Sequence, residues 1–561
     1  MTMQVKVYTN GDDAFLVWRP ENPIPGCRGF ALYRRLERGD APPIEAPLST
    51  WVGFAGSSAE PGTRKPSTEW PVQKFMWTDY DARRGDIVAY RILPMVGNDQ
   101  FHLQPEMGLA SSWTGPVRLL PYTNGIAAYF NRGIVACQWL ARRLAQQGSA
   151  TPGTTLLRDI ETVGNPTRNF LAGELRIGLI RILQTAQQAG GHVYAALFEL
   201  DDPELTTLLV SFHEKGHVVL GNGSQKKGDK DPNRSSRKSL RTAGLDVCDR
   251  MTSPGHLAHN KFLVVCNRDG TPQGVWTGST NWSMKGLCTQ ANNAVYINDA
   301  GVARVFREQW DRLRQAGDKV TDSLKMENSS STNYRVANSE ISVWFAPSRG
   351  FLDLEDARSR IQGARHGILF LMFNPGPRGS LLNDLLDVVT PGRPHYKSGL
   401  YVQGVLNQDP SSKKNPIQLF HRGQRNSAPY DVVLPAAIDR KLQYWVAELK
   451  RAPQANAMVH SKVIVVDPIG PEPVVITGSH NLGPKASSGN DENLVIIKNN
   501  SDLARAYAVN IMSIYNQYRW RFWQLTSQGA RHYSGIMDDD QWQYRYFKGP
   551  AKDELDFWLG V

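Results

Sequence analysis

Two short apolar runs recur in this chain with the same polar residues around them. Phe262-Leu263-Val264-Val265 follows His259-Asn260-Lys261 and precedes Gly278-Ser279-Thr280-Asn281. Val463-Ile464-Val465-Val466 follows His460-Ser461-Lys462, runs into Asp467 and precedes Gly478-Ser479-His480-Asn481. Runs of this length without a polar face predict strands covered on both sides. The flanking pattern repeats too. Helical spacing over 171–189, a strand over 192–198, a helix over 203–215 and a strand over 217–220 are matched by 352–364, 367–373, 381–389 and 400–406. Helix and strand alternating in the same order twice predict two α/β sandwich halves that meet at one site.

Elsewhere the pattern changes. Residues 1–118 hold short alternating runs (Phe15 to Trp18, Phe30 to Tyr33, Lys74 to Trp77, Val88 to Ile92) broken by Gly, Pro and Asp, which predict an all-β domain. Its early Trp18 and later Tyr90 resemble the core Trp and strand-F Tyr of a fibronectin type III-like sandwich. That resemblance implies a recognition or docking module, with a packing cap on the body as the alternative. Apolar residues at helical spacing predict a helix over 125–147 and closing helices over 304–316 and 503–524. Ser and Asn make 325–333 the expected linker. The expected division is therefore 1–118, a first half over 119–325, a second half over 334–526, and a tail over 527–561 packed on the body.

The paired motifs carry the candidate chemistry. A strand has a period of two, so His259 and Lys261 share a face, as do His460 and Lys462. Gly-Ser-x-Asn adds a tight turn with the amides of Asn281 and Asn481. Converging histidines can act as nucleophile, base or acid near neutral pH, while lysine and asparagine donors surround an anion. Such a set suits a phosphoryl centre.

These residues resemble the phospholipase D superfamily signature, H-x-K-x4-D followed by G-S-x-N, present twice per active site. His460, Lys462, Asp467, Gly478, Ser479 and Asn481 match throughout; His259, Lys261, Gly278, Ser279 and Asn281 match with Cys266 in place of the acid. The resemblance implies a phosphodiesterase acting through a phosphohistidine without metal or other cofactor. It implies catalytic roles for His259, Lys261, Asn281, His460, Lys462 and Asn481, and supporting roles for Ser279, Ser479 and Asp467. It also implies an acid behind a catalytic histidine of the opposite half. Glu492 fits that place and Asn292 stands in the matching one, which makes His259 the expected nucleophile and His460 the expected general acid.

The 561 residues suffice for several domains, and 41% hydrophobic with 21% charged residues is ordinary for a globular protein. A net charge of +11 favours an anionic partner, either nucleic acid or a membrane surface. Lys226, Lys227, Arg237 and Lys238 before the first motif, and Lys413 and Lys414 before the second, are the expected anion-collecting rim, with a solvated basic loop as the alternative. Five scattered cysteines without a C-x-x-C pair fit a reducing compartment. With no apolar leader in the first residues and no long apolar run, the expectation is a cytoplasmic chain, or one exported without a cleavable signal. The expected protein is a monomer acting on an anionic phosphodiester, with a protein partner open to its β domain. Phospholipid head-group release leads; a metal-independent endonuclease and an inactive phosphate-binding protein are the alternatives.

Overall fold

The computed structural model describes residues 3–56, 63–133, 143, 152–223, 231–408, 410, 430–433, 458–526 and 535–561. Its N-terminal part is a β-sandwich. One sheet joins Gln4–Thr9, Ala14–Arg19 and Met76–Asp79; the other joins Val117–Arg118, Ile87–Val96, Cys27–Glu37 and Ile44–Pro47. Alternating side chains of both sheets bury Trp18, Phe30 and Tyr90 in one core, with the Trp18 and Phe30 rings 5.6 Å apart. The Tyr90 hydroxyl donates to Asp79 at 2.9 Å, so this buried phenol is satisfied.

The tail returns to this sandwich. Trp542 packs edge-on against Phe30 and Phe75 and donates its indole N–H to the Cys27 carbonyl at 2.9 Å. Trp558, on the helix Pro550–Leu559, lies 4.9 Å from Phe15. The sandwich in turn touches the first half through Arg84 and Glu174, at 2.7 Å.

Each half is built on an eight-stranded mixed sheet, and the two have the same order. The first runs Tyr122–Thr123, Ile126–Phe130, Asn293–Ile297, Pro272–Gly278, Lys261–Cys266, Val193–Leu197, Gly216–Gly221, Asp246–Arg250. The second runs Thr332–Val336, Ser339–Ala346, Glu492–Lys498, Val474–Gly478, Lys462–Val466, Gly367–Met372, Tyr401–Leu406, Tyr430–Val433. The apolar run behind each His and Lys is a central strand whose faces enter different cores. Phe262 and Val264 meet Val463, Val465, Phe306 and Tyr507 in a core shared by the halves. Leu263 and Ile464 each enter the outer core of their own half. Two covered faces explain why these runs show no polar alternation.

The halves are also stitched by backbone. Gln290–Ala291 pairs in parallel with Met458–Val459, and Leu257 bridges Asn490 at the matching place across the interface. A buried ion pair adds to this: Arg250 holds Asp491 at 2.6 and 2.9 Å.

Three expectations are corrected. Ile126–Phe130 is a strand paired with Asn293–Ile297 and not the start of a helix; all of its residues are buried, so tertiary cover outweighs a spacing that suits either period. The remainder of that expected helix lies outside the described residues apart from 125, 131–133 and 143. The expected linker contains the end of the helix Asp322–Glu327, buried Asn328 and the start of the strand Thr332–Val336. The expected basic loop before His259 includes a helix, Arg234–Thr242, and the edge strand Asp246–Arg250.

Candidate active site

Each His-x-Lys motif begins where a central strand leaves the inter-half stitch. Backbone pairing of Ala291 with Val459 fixes His460, whose N–H donates to the Ala291 carbonyl at 3.0 Å. The equivalent bond in the other direction runs from Asp491 N–H to the Leu257 carbonyl at 2.8 Å. As a result each histidine faces a residue at the start of the last strand of the opposite half. Nδ1 of His259 lies 2.8 and 2.9 Å from the two oxygens of Glu492, and Nδ1 of His460 lies 3.0 Å from Oδ1 of Asn292.

The motif serines fix those two partners. Ser479 donates to Glu492 and Ser279 to Asn292, both at 2.7 Å. Asn292 Nδ2 donates to the Gly286 carbonyl at 2.8 Å, so its Oδ1 is the atom left for His460. Both imidazoles are thereby held with Nδ1 as donor, leaving Nε2 the basic atom of the neutral ring.

The lysines are held alike. Nζ of Lys261 donates to the His259 carbonyl and Nζ of Lys462 to the His460 carbonyl, each at 2.6 Å. Phe198 and Phe373 wall the two sides. Each ring lies 4.8 or 4.6 Å edge-on from the neighbouring histidine, and each lysine stands over one of them at 4.9 or 4.7 Å. Sequence reading placed these phenylalanines only at strand ends; nothing local signals that they line the site.

Burial dominates the electrostatics. It lowers His259 to about 4, against the opposing pull of Glu492, and it lowers His460 well below its ordinary value, helped by Lys462 and Lys261. Burial likewise brings Lys261 to about 7 and lowers Lys462, while Glu492 and Glu199 act in the other direction. On Glu492 burial pushes upward, but His259 and Lys261 outweigh it and hold the carboxyl below its usual range. The resting pocket therefore combines neutral imidazoles, an ionised acid behind one of them, and two lysines whose charge burial opposes and nearby carboxylates favour.

The acidic member of the second motif stands apart from the pocket. Asp467 accepts the N–H groups of Arg365, His366 and Gly367 at 2.7 to 3.1 Å, and so caps the turn into the strand Gly367–Met372. In the first half the corresponding amides of Gly190 and Gly191 already donate to the Gln187 and Ala186 carbonyls, at 3.0 and 2.9 Å. Two of the three amides that Asp467 serves thus have backbone acceptors in the first half, and Cys266 fills the acid's place as a buried thiol that burial pushes up to about 12.

The rim fares differently. Arg237 is 6% exposed and tied to Asp231, Asp249 and the Leu220 and Gly221 carbonyls, so it holds the fold and does not face substrate. Its short spacing to Asp231 and Asp249 was the available signal. Lys238 is exposed on the same helix, and Lys226, Lys227, Lys413 and Lys414 lie outside the described residues. His256 bonds the Gly489 carbonyl at 2.7 Å, and among the described residues no cluster of His, Cys, Asp and Glu suits a metal ion. Nor is any described helix long and apolar enough to cross a membrane.

A duplicated sheet thus brings two crossed histidine and lysine pairs to one place, the arrangement expected of a phospholipase D-like fold. The chain belongs to the family described as cardiolipin synthase, PLD-like domain, whose model matches residues 179–314 and 359–518. It is 24% identical over 151 residues to the mitochondrial cardiolipin hydrolase of Danio rerio, covering 26% of this chain and 62% of that protein. Against the Xenopus tropicalis protein of the same name it is 27% identical over 144 residues, covering 25% of this chain and 63% of that one. The chain thus spans under two thirds of these relatives. Among solved structures, a phosphatidylserine synthase of Haemophilus influenzae Rd KW20 aligns with a TM-score of 0.43 at 12% identity, over 62% of this chain and 85% of that chain.

Proposed function

We propose that this protein releases head groups from phospholipids by a two-step phosphohistidine mechanism. The observation that carries the mechanism is the unequal backing of the two histidines: carboxylate behind His259, amide behind His460. Nε2 of neutral His259 attacks phosphorus, and Glu492 stabilises the positive ring that forms. Lys261, Lys462, Asn281 and Asn481 neutralise the non-bridging oxygens. The phosphodiester's negative charge raises His460, which enters the complex protonated and gives its proton to the leaving oxygen as the P–O bond breaks. Water then passes a proton to His460 and attacks phosphorus, and the N–P bond to His259 breaks. An alcohol in place of water gives transphosphatidylation.

Membership of a cardiolipin synthase family and similarity to cardiolipin hydrolases support the phospholipid substrate. The test is product formation by the purified chain in EDTA, on mixed phospholipid vesicles and on plasmid and single-stranded DNA, with His460→Ala as control. Head-group release lost in the variant is expected. DNA cleavage lost in the variant would make the protein an endonuclease, and silence on every substrate would favour a phosphate-binding role.

We read residues 1–118 as a fibronectin type III-like docking domain, on the three-strand and five-strand sheets around Trp18 and Tyr90. The variant Phe101→Asp changes a side chain that is 81% exposed there. It should lower activity on vesicles while sparing a soluble diester; an equal loss on both would leave the domain a packing cap.

A further inference from the structure

One carboxylate in this pocket has no part in the mechanism above. Glu199 follows Phe198, directly after the strand Val193–Leu197, and accepts Nδ2 of Asn281 at 2.8 Å. Its backbone is clamped on both sides. The Glu199 carbonyl accepts Trp282 N–H at 3.1 Å, Leu200 bridges Trp282, and buried Asn233 bonds both the Phe198 carbonyl and the Leu200 N–H at 2.9 Å. A segment fixed at so many points places the side chain by the fold and not by chance. The matching residue of the second half is Asn374, exposed and uncharged, so the device belongs to one side alone.

We propose that Glu199 is a positioning residue for the phosphodiesterase reaction, holding the Asn281 amide and supplying the negative charge that balances the two buried lysines. The inference rests on the proposed function of the same site. Oδ1 of Asn281 is buried without a partner, so the amide orientation depends on the bond from Nδ2 to Glu199. Only the second N–H of that amide remains for a phosphoryl oxygen. The titratable groups facing Lys261 and Lys462 are His259, His460, Glu492 and Glu199; among these, Glu492 is committed to His259. Glu199 thus adds to the field of Glu492, which favours the charged form of both lysines against burial. In this role Glu199 does not touch substrate.

The test is Glu199→Gln, with Glu199→Asp as the conservative variant, in the full chain. On a soluble chromogenic phosphodiester, Glu199→Gln should lower kcat about tenfold to a hundredfold with little change in KM. It should also move the alkaline limb of the pH profile down by about one unit, because two buried cations lose a neighbouring charge. Glu199→Asp should restore the limb in part. A drop in rate with an unmoved limb in both variants would make Glu199 merely structural and overturn the proposal. Binding of inorganic phosphate against pH, by calorimetry, separates this from failure of the function itself. If the wild type cleaves nothing but its phosphate affinity still falls with pH about one unit later than that of Glu199→Gln, the reaction is wrong and the role of Glu199 stands. Superimposable phosphate curves would remove that role whatever the reaction.

Discussion

The two halves share a sheet order, a motif and a backbone stitch, yet they differ at three places around one site. The histidine of the first half has a carboxylate behind it and that of the second an amide. The first half brings Glu199 to its asparagine, whereas the second exposes Asn374 at the matching place. In the second half Asp467 caps three amides, whereas in the first the Gly190 and Gly191 amides bond carbonyls of the helix Pro166–Gln188 and Cys266 stands in the acid's place. Two of these differences sit on charge in the pocket and one on a turn behind it. Duplication supplies a symmetric frame; in the proposed mechanism the unequal charges divide the labour inside it.

The largest effect should come from the histidines. His259→Ala and His460→Ala should each lower kcat/KM by about a thousandfold or more, read with a soluble chromogenic diester, since each removes a proton-transfer or nucleophilic group. The variants should differ with a substrate whose leaving group needs no proton. Such a substrate should rescue bond cleavage in His460→Ala and leave His259→Ala inactive.

Next come the partners behind the rings. Glu492→Gln should cost about a hundredfold in kcat, because the positive ring of the intermediate loses its counter-charge in a buried site. Asn292→Asp makes the backing equal. It should raise the pKa of His460, shift the pH profile upward and change the rate less than Glu492→Gln does. Equal losses for the two would erase the proposed division.

A pH effect on stability follows from both rings. Their folded pKa values lie below that of a free imidazole, with His259 at about 4, so the unfolded chain binds more protons between about pH 6.5 and pH 4. Stability should be fully present above about 6.5 and be lost as pH falls through that window, by about 2–3 kcal/mol from His259 alone. Denaturant midpoints for the wild type and for His259→Gln should diverge at pH 7 and converge at pH 4.5.

The smallest effects belong to the turn. Asp467→Ala should lower stability by about 2–3 kcal/mol, through amides left without an acceptor, and Cys266→Ala by about 1 kcal/mol, through a small cavity. Comparable losses would mean that Cys266 does more than fill space.

Much of this frame was legible because it is written locally. Apolar strand-length runs, the spacing of His and Lys and the Gly-Ser turns are all short-range signals, and they repeat. The five residues Ile126 to Phe130 misled because so short a stretch fits a helix or a strand, and only pairing with Asn293–Ile297 decides between them. Arg237 read as a rim cation although Asp231 and Asp249 lie near it in sequence, because only the fold shows both carboxylates closing on it. Phe198, Phe373 and Glu199 were missed as site residues, for each reaches the pocket through contacts with a segment distant in sequence. Arg250 and Asp491, 241 positions apart, were equally invisible.

The central claim is that His259 carries the phosphoryl group and His460 moves the proton. It is tested most directly by acid-quenching the enzyme with a diester labelled in the phosphoryl group retained after cleavage, then locating the label by mass spectrometry. A phosphohistidine at 259 is predicted in the wild type, accumulating in His460→Ala with the activated substrate and absent from His259→Ala. A labelled adduct that survives in His259→Ala, or one at His460 in the wild type, would contradict it.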